Sequence, residues 1–487
     1  MIILIGGIII KKIDISDVIW NYIGTIFSMG LGFFMLPILL KFLSADMLGI
    51  WYVMVSLSNI ATLFTFGFTP AFSRNVNYCW NGARRLSKVG KDEETITDDN
   101  QVDYHLLNVV MKSCKLVYLF IAILASVLIG IIGNFHLINI SGDIFNHNIE
   151  ISWIIMVLAI YLNIYYAYYS SFLVGIGMVK ESNKILVMSG CIRLLVMFVL
   201  MKYGLGILGA TLAYLVWGIV FRCCSKYVFY HSKCMKEAVH VFKRNKIEIK
   251  EVFHCIDTIW YNAWRDGMVS LSDYLQTQAS TLVCSLFLSL SDTAAFSLTT
   301  QLITSLGKGA RSIDNAYAPE YQGAYIKGDI IRLKETKALC LTAFSIVYWI
   351  GIVAILLVGI PILQVIKPEV LLSISFILIY GLYQFILTYR NIFGAYLSAT
   401  NRVIYWKAYV LTGVGSIALY TVILNYFGGG IWTIVFTSIV CELSYNFWKW
   451  QSIVNRELGL EYPSLFTLGI KMIKDKLLQN GVRNNNG

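Results

Sequence analysis

Charged residues are scarce in this chain. They account for 14% of its 487 residues, whereas hydrophobic residues account for 57%. Soluble globular domains carry about 25% charged residues, so the composition excludes a soluble protein and predicts a membrane protein. The formal net charge of +11 does not indicate a nucleic-acid partner. Most of this charge lies in the gaps between apolar segments, where basic residues set the membrane orientation and meet anionic lipids.

The chain also lacks the usual signatures of catalysis and metal binding. Its ten cysteines contain no C-x-x-C pair and its six histidines show no metal-ligand spacing, so we predict neither a disulfide framework nor a metal site. No G-x-S-x-G or H-E-x-x-H motif occurs. A G-x-G-x-x-G is present at Gly204, Gly206 and Gly209, but a dinucleotide site needs a strand before it, and here apolar segments flank it. We therefore expect no cofactor, no direct use of ATP and no enzymatic activity.

Long apolar runs make up most of the sequence. A helix crosses ~30 Å of hydrocarbon with about 20 apolar residues, and runs of this length predict an all-α integral membrane protein with about twelve transmembrane helices. The predicted spans are 18–40, 47–70, 113–133, 151–175, 185–202, 206–222, 266–288, 293–315, 338–360, 371–398, 404–426 and 430–448.

Basic residues are almost absent from every second gap between these spans. One set of gaps holds only Lys41, Lys202 and Lys367, whereas the other set holds most of the remaining lysines and arginines. Because cytoplasmic loops are enriched in Lys and Arg, this alternation predicts twelve spans with both termini in the cytoplasm. Residues 1–10 are apolar but lack the basic start and the small-residue cleavage site of a signal peptide.

A basic segment in the middle of the chain predicts two lobes. Residues 222–257 are rich in Lys and Arg and lie where a linker joining two six-helix halves would fall. We therefore predict an N-terminal six-helix lobe over 1–221 and a cytoplasmic linker over 222–257. A C-terminal six-helix lobe over 258–450 and a cytoplasmic tail over 451–487 follow.

Two pairs of short segments indicate that the halves are repeats. FLSADMLGIW (42–51) resembles FLSLSDTAAF (287–296), and KYGLGILGA (202–210) resembles NYFGGGIWT (425–433). The members of each pair have the same predicted orientation. This arrangement favours a parallel repeat related by an axis along the membrane normal, as some transporters have.

Basic side chains inside the spans are the strongest candidates for function. A charge at bilayer depth costs at least ~2.5–3.5 kcal/mol on insertion scales, so such residues usually face a bundle interior or an aqueous cavity. On this ground we predict that Arg193, Lys308, Arg311 and Arg390 line a polar cavity. Lys115 lies one turn inside its span and is expected to extend to the membrane surface instead.

The remaining charged residues near the spans admit two explanations. Arg74 and Arg265 lie at span ends, where a basic residue either anchors the helix at the interface or faces a cavity. Asp266 and Asp314 either neutralise nearby arginines in internal ion pairs or couple transport to an ion. Bases outnumber acids in the spans, which predicts a net positive cavity. Such a cavity suits an anionic head group, because arginine offers paired donors to phosphate oxygens.

Tyrosines are concentrated in YLNIYYAYYSSF (161–172). Tyr165, Tyr168, Tyr169 and Phe172 can share one helix face. Packing against neighbouring helices is the expected role of this face, and stacking on sugar rings in a cavity is the alternative.

The segment 21–78 resembles a known family. Its pattern is an apolar helix, a short acidic turn, G-x-W and a helix that closes in Gly-Phe before an arginine, and the residues are Leu36, Pro37, Asp46, Gly49, Trp51, Gly67, Phe68 and Arg74. This pattern resembles the first two helices of bacterial O-antigen and polysaccharide repeat-unit flippases of the multidrug/oligosaccharidyl-lipid/polysaccharide exporter superfamily. ARSIDNAYAPEYQGAYIKGD (310–329) has a looser similarity to the same family.

The resemblance implies two six-helix lobes around a central cavity and transport by alternating access. It implies an undecaprenyl-diphosphate-linked oligosaccharide as substrate, held in a cation-lined cavity to which Arg74 contributes. It also implies location in the bacterial inner membrane, contact with membrane lipids, and a polysaccharide polymerase or other assembly protein as partner.

Two other functions stay open. A drug/cation antiporter of the same superfamily is one, although such a site would favour inward carboxylates over arginines. A multi-span polysaccharide polymerase or ligase is the other. Such enzymes tend to carry a large external loop with functional Arg or His, whereas the longest external gap here, 134–150, contains no Lys or Arg.

Overall fold

Helices make up almost all of the described part of the chain, which divides into two units. The computed structural model describes residues 2–5, 8–11, 14–65, 67–90, 102–141, 146–232, 247–288, 290–361 and 373–484, with the single positions 235, 238 and 242. The first unit comprises Met1–Lys12, Ile19–Lys88 and Asp92–Trp264, and the second comprises Ile13–Val18, Val89–Lys91 and Arg265–Gly487.

A short β-hairpin precedes the helices. Strand β1 (Ile2–Ile5) pairs antiparallel with β2 (Ile8–Lys11), and Ile5 lies opposite Ile8. These two four-residue segments are therefore extended, not helical.

The first unit contains most of α1, all of α2 to α8 and the first part of α9. These helices are α1 (Ile15–Phe42), α2 (Ala45–Thr62), α3 (Phe68–Trp80), α4 (Tyr104–Ser141), α5 (His147–Tyr166), α6 (Tyr168–Gly175), α7 (Val179–Lys202), α8 (Gly206–His231) and α9 (Ile249–Tyr274).

The second predicted span is two successive helices, α2 and α3, and Gly67 explains the break. Gly67 has a φ of 74°, a left-handed conformation that costs a residue with a side chain about 1–2 kcal/mol. A new helix begins immediately after it, at Phe68. The Gly-Phe pair noted in the sequence therefore starts the helix that carries Arg74.

Helix α3 is held tightly against α6. The Asn77 side-chain amide donates to the Gly175 carbonyl oxygen at 2.7 Å. A Cβ atom at Gly175 would lie 2.8 Å from the Ser73 carbonyl oxygen, so only glycine permits this approach. Arg74 is thereby fixed inside the first unit.

The second unit contains the rest of α9 and the helices that follow it. These are α10 (Ser280–Phe287), α11 (Leu290–Lys327), α12 (Ile330–Ala354), α13 (Ile374–Ala399), α14 (Trp406–Tyr426), α15 (Ile431–Ser444), α16 (Asn446–Leu458) and α17 (Tyr462–Asn484). Single π-helical segments, Leu275–Ala279 and Ile355–Gly359, follow α9 and α12.

The C-terminal tail is part of the second unit, because α17 packs along α12. A Cβ atom at Gly469 would lie 2.5 Å from the Ala338 carbonyl oxygen, so the two backbones approach closely there. The Lys334 ammonium donates to the Gly459 carbonyl oxygen at 2.7 Å. Within the predicted tail, 451–458 form the end of α16 and Tyr462–Asn484 form the docked helix α17.

Each predicted span coincides with one helix or with two successive helices. Within the described residues, six helical segments are long and apolar enough to cross a membrane, judged by length and composition alone. These are Tyr104–Asn139, His147–Gly175, Val179–Lys202, Gly206–His231, Ile330–Gly359 and Trp406–Tyr426. Lys367 and most of 233–246 lie outside the described residues.

The predicted linker 222–257 is helical at both ends. Helix α8 continues to His231 and α9 begins at Ile249. The two compact units divide between Trp264 and Arg265, inside α9. Helical continuation at both ends is possible because neither end contains proline, which would interrupt the backbone hydrogen bonds.

One repeat match, 202–210 with 425–433, falls at a turn between two helices in both of its members. Helix α7 ends and α8 begins around Gly204, whose φ is 84°, and α14 ends and α15 begins around Gly428, whose φ is 71°. The G-x-G-x-x-G sequence therefore covers the turn at Gly204 and the start of α8, and a helix precedes it, not a strand.

Candidate anion-binding site

Three segments of the second unit line a cavity of about 270 Å³. The end of α9 with its π-helical extension, the middle of α11 and the middle of α13 supply the lining residues Asp273, Tyr274, Thr277, Gly307, Lys308, Arg311, Gln384, Leu387, Thr388 and Asn391. Sites for drug-sized ligands have volumes of ~300–1,000 Å³. The cavity therefore has room for a phosphate-sized group and is too small for an oligosaccharide.

Helical spacing brings the polar side chains to one place. Lys308 and Arg311 are three residues apart on α11 and share a face. Gln384, Thr388 and Asn391 form a polar stripe on α13, at positions i, i+4 and i+7. A Cβ atom at Gly307 would lie 3.2 Å from the Thr388 hydroxyl oxygen, so glycine allows α11 and α13 to approach closely at the cavity.

Lys308 and Arg311 are the two cations of the cavity. Lys308 is exposed and Arg311 is half-buried, and the Arg311 Nε atom is buried with no hydrogen-bond partner among the described residues. Among the described residues, no carboxylate oxygen lies within 4.0 Å, the limit for an ion pair, of a side-chain nitrogen of Lys308 or Arg311. Both cations are therefore available to an anion that enters the cavity.

Asp273 is the one acidic lining residue, and its carboxylate is already engaged. It accepts a hydrogen bond from the Arg390 guanidinium at 3.2 Å and another from the Asn391 amide at 3.2 Å. Two available cations against one engaged anion give the cavity a net positive charge. Its chemistry thus favours phosphate or carboxylate over a cationic ligand.

Arg390 lies behind this cavity and is not among its lining residues. Its side chain is fully buried, and its Nη1 atom donates to Glu442, itself almost fully buried, at 2.5 Å. Its other contacts are Asp273 at 3.2 Å and the Asn391 side-chain oxygen at 3.0 Å. The guanidinium also lies 3.7 Å from the Tyr409 ring centroid.

These contacts give Arg390 a positioning role in the structure. Burying charges is costly unless they are paired and hydrogen-bonded, and here one guanidinium joins α13 to a carboxylate on α9 and another on α15. Through Asp273 and Asn391, the Arg390 side chain orients two residues that line the cavity. The sequence-based prediction that Arg390 itself contacts a ligand has no direct support from this geometry.

Arg193 lies in the first unit, on α7, and rests on aromatic rings. Its guanidinium carbon is 4.4 Å from the Tyr214 ring centroid and 5.6 Å from that of Trp217. The side chain is buried, and its Nε atom has no hydrogen-bond partner in the described part of the chain. Cation–π contact with two residues of α8 stabilises this buried charge.

Arg74 is also in the first unit and is buried within α3, with 1% of its surface exposed. An interfacial anchor extends its charge to the membrane surface. The burial of Arg74 therefore excludes the first of the two roles that the sequence allowed, that of an interfacial anchor. Whether Arg74 and Arg193 contact substrate stays a prediction.

The two acids proposed for ion coupling lie outside the cavity lining. Asp266 is buried and accepts a hydrogen bond from the Ser398 hydroxyl at 3.1 Å. Asp314 is buried and accepts from the Tyr321 hydroxyl at 3.4 Å, and it forms no ion pair with Arg311 within 4.0 Å. Asp314 therefore makes no direct ion pair with Arg311, and ion coupling by either acid stays a prediction.

The tyrosine-rich face of α5 and α6 is mainly a packing surface. Tyr168, Tyr169 and Phe172 are buried, and their rings contact one another with centroids 4.5–6.2 Å apart. Tyr165 is half-buried at the edge of this cluster. The Lys115 ammonium, expected at the membrane surface, lies 5.7 Å from the Tyr168 ring centroid and 3.4 Å from the Tyr230 hydroxyl.

Sequence reasoning missed several residues that form the site. Glu442 is the one acid in the last predicted span. Burying a charge in the membrane is costly for an acid as for an arginine, so the same argument could have identified it. The stripe Gln384, Thr388 and Asn391 could have been found from its helical period in an otherwise apolar span. Tyr409 offered no such signal, because its contact with Arg390 depends on how α13 and α14 pack.

Solved structures show the same fold at low sequence identity. The chain aligns with a structure described as a crystal structure of MATE in the bent conformation, with a TM-score of 0.70 and 12% identity over 92% of this chain and 96% of that one. A MOP superfamily transporter from Pyrococcus furiosus, whose description reports a reverse polarity of its binding pocket, gives a TM-score of 0.66 at 12% identity over 92% and 97%. Comparison with protein-family models and with curated protein sequences gave no match.

This likeness confirms the predicted fold class. The chain has the all-α fold of MATE transporters over nine-tenths of its length, which is a multi-pass membrane fold of about twelve helices in two lobes. At 12–13% sequence identity, the likeness shows the fold alone. The substrate has to be inferred from this chain's own residues. The central cavity expected between the lobes stays a prediction.

Proposed function

We propose that this protein moves undecaprenyl-diphosphate-linked oligosaccharide repeat units, such as those of O-antigen, from the inner to the outer leaflet of the bacterial inner membrane by alternating access. The observation that carries the proposal is the cavity with two available cations, Lys308 and Arg311. A diphosphate presents anionic oxygens to such a pair, and arginine matches them with paired donors.

The size of the cavity fits one part of this substrate. At about 270 Å³ it accepts the diphosphate, while the glycan requires the larger space expected between the lobes and the polyprenyl chain stays in lipid. Binding energy at the diphosphate would then be independent of the sugars. In this proposal both termini are cytoplasmic, Arg74 and Arg193 contribute positive charge, and Asp266 or Asp314 couples transport to an ion. A polysaccharide polymerase or another assembly protein receives the product.

The test is the location of the repeat unit in cells that lack this protein. Synthesis of the lipid-linked unit continues on the cytoplasmic face, so complete single units should accumulate where an impermeant glycosidase added to spheroplasts cannot reach them. Complementation with Lys308→Gln/Arg311→Gln should leave the units inaccessible. Expression of Lys112→Gln, which alters a basic residue outside the cavity, should restore their export.

The same experiment separates flipping from polymerisation. Loss of a polymerase or ligase leaves single units already exposed on the outer leaflet. Single units that the glycosidase digests in the deletion strain would therefore exclude the proposed function.

Drug export is the second candidate, because one structure with the same fold is described as a multidrug resistance MATE family transporter (TM-score 0.67, 12% identity). A cationic drug would need a carboxylate, and Asp273 is the acid that lines the cavity. Its pairing with Arg390 opposes that role. Increased sensitivity of the deletion strain to cationic dyes, restored by wild type and not by Asp273→Asn, would favour this candidate.

A further inference from the structure

The last helix, α17, has an exposed apolar stripe that takes no part in the proposed transport site. Tyr462, Phe466 and Ile470 are 43%, 36% and 45% exposed. They stand at positions i, i+4 and i+8, so they follow one another along one side of the helix. Contiguous exposed apolar surface of this kind marks a contact with a membrane or with a partner.

Helical spacing places the stripe between two other faces of α17. Leu465 and Gly469 are buried on the side that packs on α12. Thr467, Lys471 and Lys474 are exposed on the far side. At 3.6 residues per turn, the order around the helix is the buried face, the apolar stripe and the polar face. This order suits the boundary at which a helix bundle, hydrocarbon and water meet.

The crossing point of α17 on α12 agrees with such a boundary. Gly469 packs on Ala338 and Thr342, where the sequence predicts that the span 338–360 begins. One and two turns further along the same side of α12, Ile346 and Ile350 are exposed. Helix α17 therefore crosses α12 at the edge of an apolar surface that continues into the predicted span.

Contacts at both ends of α17 hold the stripe in one orientation. Gly459, with a φ of 57°, ends α16, and its carbonyl oxygen accepts a hydrogen bond from the Lys334 ammonium at 2.7 Å. Fourteen residues into α17, the Lys476 ammonium donates to the Tyr317 hydroxyl on α11. The apolar stripe is therefore fixed relative to the second unit.

The charge of α17 indicates the chemistry of its partner. Its 23 residues contain four basic residues and one acid, which are Lys471, Lys474, Lys476, Arg483 and Asp475. Among the described residues, Lys471 and Lys474 form no ion pair within 4.0 Å. Exposed lysines beside an apolar stripe attract anionic head groups, and the charge pattern of the sequence predicts that this end of the chain is cytoplasmic.

We infer that α17 lies in the cytoplasmic surface of the membrane and binds anionic lipid there. Tyr462, Phe466 and Ile470 enter the boundary between head groups and acyl chains, while Lys471 and Lys474 meet the head groups. The cytoplasmic leaflet is the one that carries a negative surface potential.

The first experiment measures where the two exposed faces lie in a bilayer. Purified full-length protein without reactive native cysteines is placed in nanodiscs that contain phosphatidylglycerol, and a nitroxide label is attached at one position at a time. Labels on Phe466→Cys and Ile470→Cys should be more accessible to oxygen, which concentrates in hydrocarbon, than to a water-soluble nickel complex. The matched controls Ser464→Cys and Thr467→Cys, on the polar face, should show the reverse preference.

Two outcomes of this experiment would overturn the inference. Equal access of the nickel complex to all four labels would place α17 in water. Shielding of the labels at Phe466 and Ile470 from both reagents would show that a second copy of the chain covers the stripe.

The second experiment measures the contribution of the lysines. Chymotrypsin cleaves within α17 only when the helix is released, so the cleavage rate follows the released fraction. Phosphatidylglycerol should slow cleavage relative to phosphatidylcholine by up to about fivefold for each of the two lysines. Lys471→Gln/Lys474→Gln should lose this difference, whereas Lys250→Gln, which removes an exposed lysine of the first unit, should keep it.

The same lipid dependence in both variants would contradict a role for Lys471 and Lys474, because it would show general attraction of a basic protein to anionic lipid. Neither experiment depends on transport, so the proposed function stands or falls separately.

Discussion

Replacing Arg390 by glutamine should destabilise the second unit more than any other change of a single basic residue near the cavity. The substitution leaves Glu442, which is 1% exposed, without its guanidinium partner. Removing one member of a buried ion pair costs about 3–5 kcal/mol. For a domain of the size of this unit, that corresponds to a fall of roughly 6–20 °C in the unfolding temperature.

The two carboxylates should respond differently to a second substitution. Glu442 is almost fully buried, whereas the Asp273 side chain is 34% exposed and water can solvate its charge. Arg390→Gln/Glu442→Gln should therefore recover most of the lost stability, and Arg390→Gln/Asp273→Asn should recover much less. Thermal unfolding of the purified single and double variants in one detergent gives both coupling energies.

One result would refute this reasoning: Arg390→Gln changes the unfolding temperature no more than Lys308→Gln does and yet abolishes transport. Arg390 would then be a ligand for the substrate. The ion-pair network would then be incidental to stability. Equal rescue by both second substitutions would also contradict the difference in burial on which the prediction rests.

Three further predictions concern the cavity, the topology and the C-terminal helix. Lys308→Gln and Arg311→Gln should each impair export while changing the free energy of unfolding by less than about 1 kcal/mol. Arg311→Lys should retain more export than Arg311→Gln. Equal export by Arg311→Gln and the wild type would contradict a role for the charge. In a background without reactive native thiols, cysteines introduced at Asn139, Asp292 and Gly429 should react with an impermeant thiol reagent added to spheroplasts. Cysteines introduced at Lys91 and Arg244 should not react. Labelling at Lys91 would contradict the twelve-span topology. Gly469→Val should release α17 from α12, because the valine side chain would meet the Ala338 carbonyl oxygen. Protease cleavage within α17 should then be faster than in the control Ser464→Val, which alters an exposed position. An unchanged cleavage rate would contradict the close packing.

The sequence alone was sufficient to predict the membrane class and the apolar helices, but not the helix α17 in the predicted tail. Apolar length and the distribution of Lys and Arg are properties of the chain that hold for any packing of its helices. The break at Gly67 was not predicted, because 47–70 was taken as a single span that closes in Gly-Phe. The left-handed φ of Gly67 instead precedes a new helix that begins at Phe68. The cost of burying charge likewise singles out Lys308 and Arg311, because it depends only on their positions within apolar segments.

The role of each buried charge was decided by tertiary structure. Arg311 and Arg390 look alike in sequence, yet one has a free Nε atom at a cavity and the other is held by Glu442 and Asp273. These partners come from helices far apart in the chain, so helical periodicity cannot reveal them. Desolvation makes a charge in a membrane expensive in every case, but only the packing of α9, α13 and α15 determines whether a protein carboxylate neutralises it or whether it remains available to a ligand.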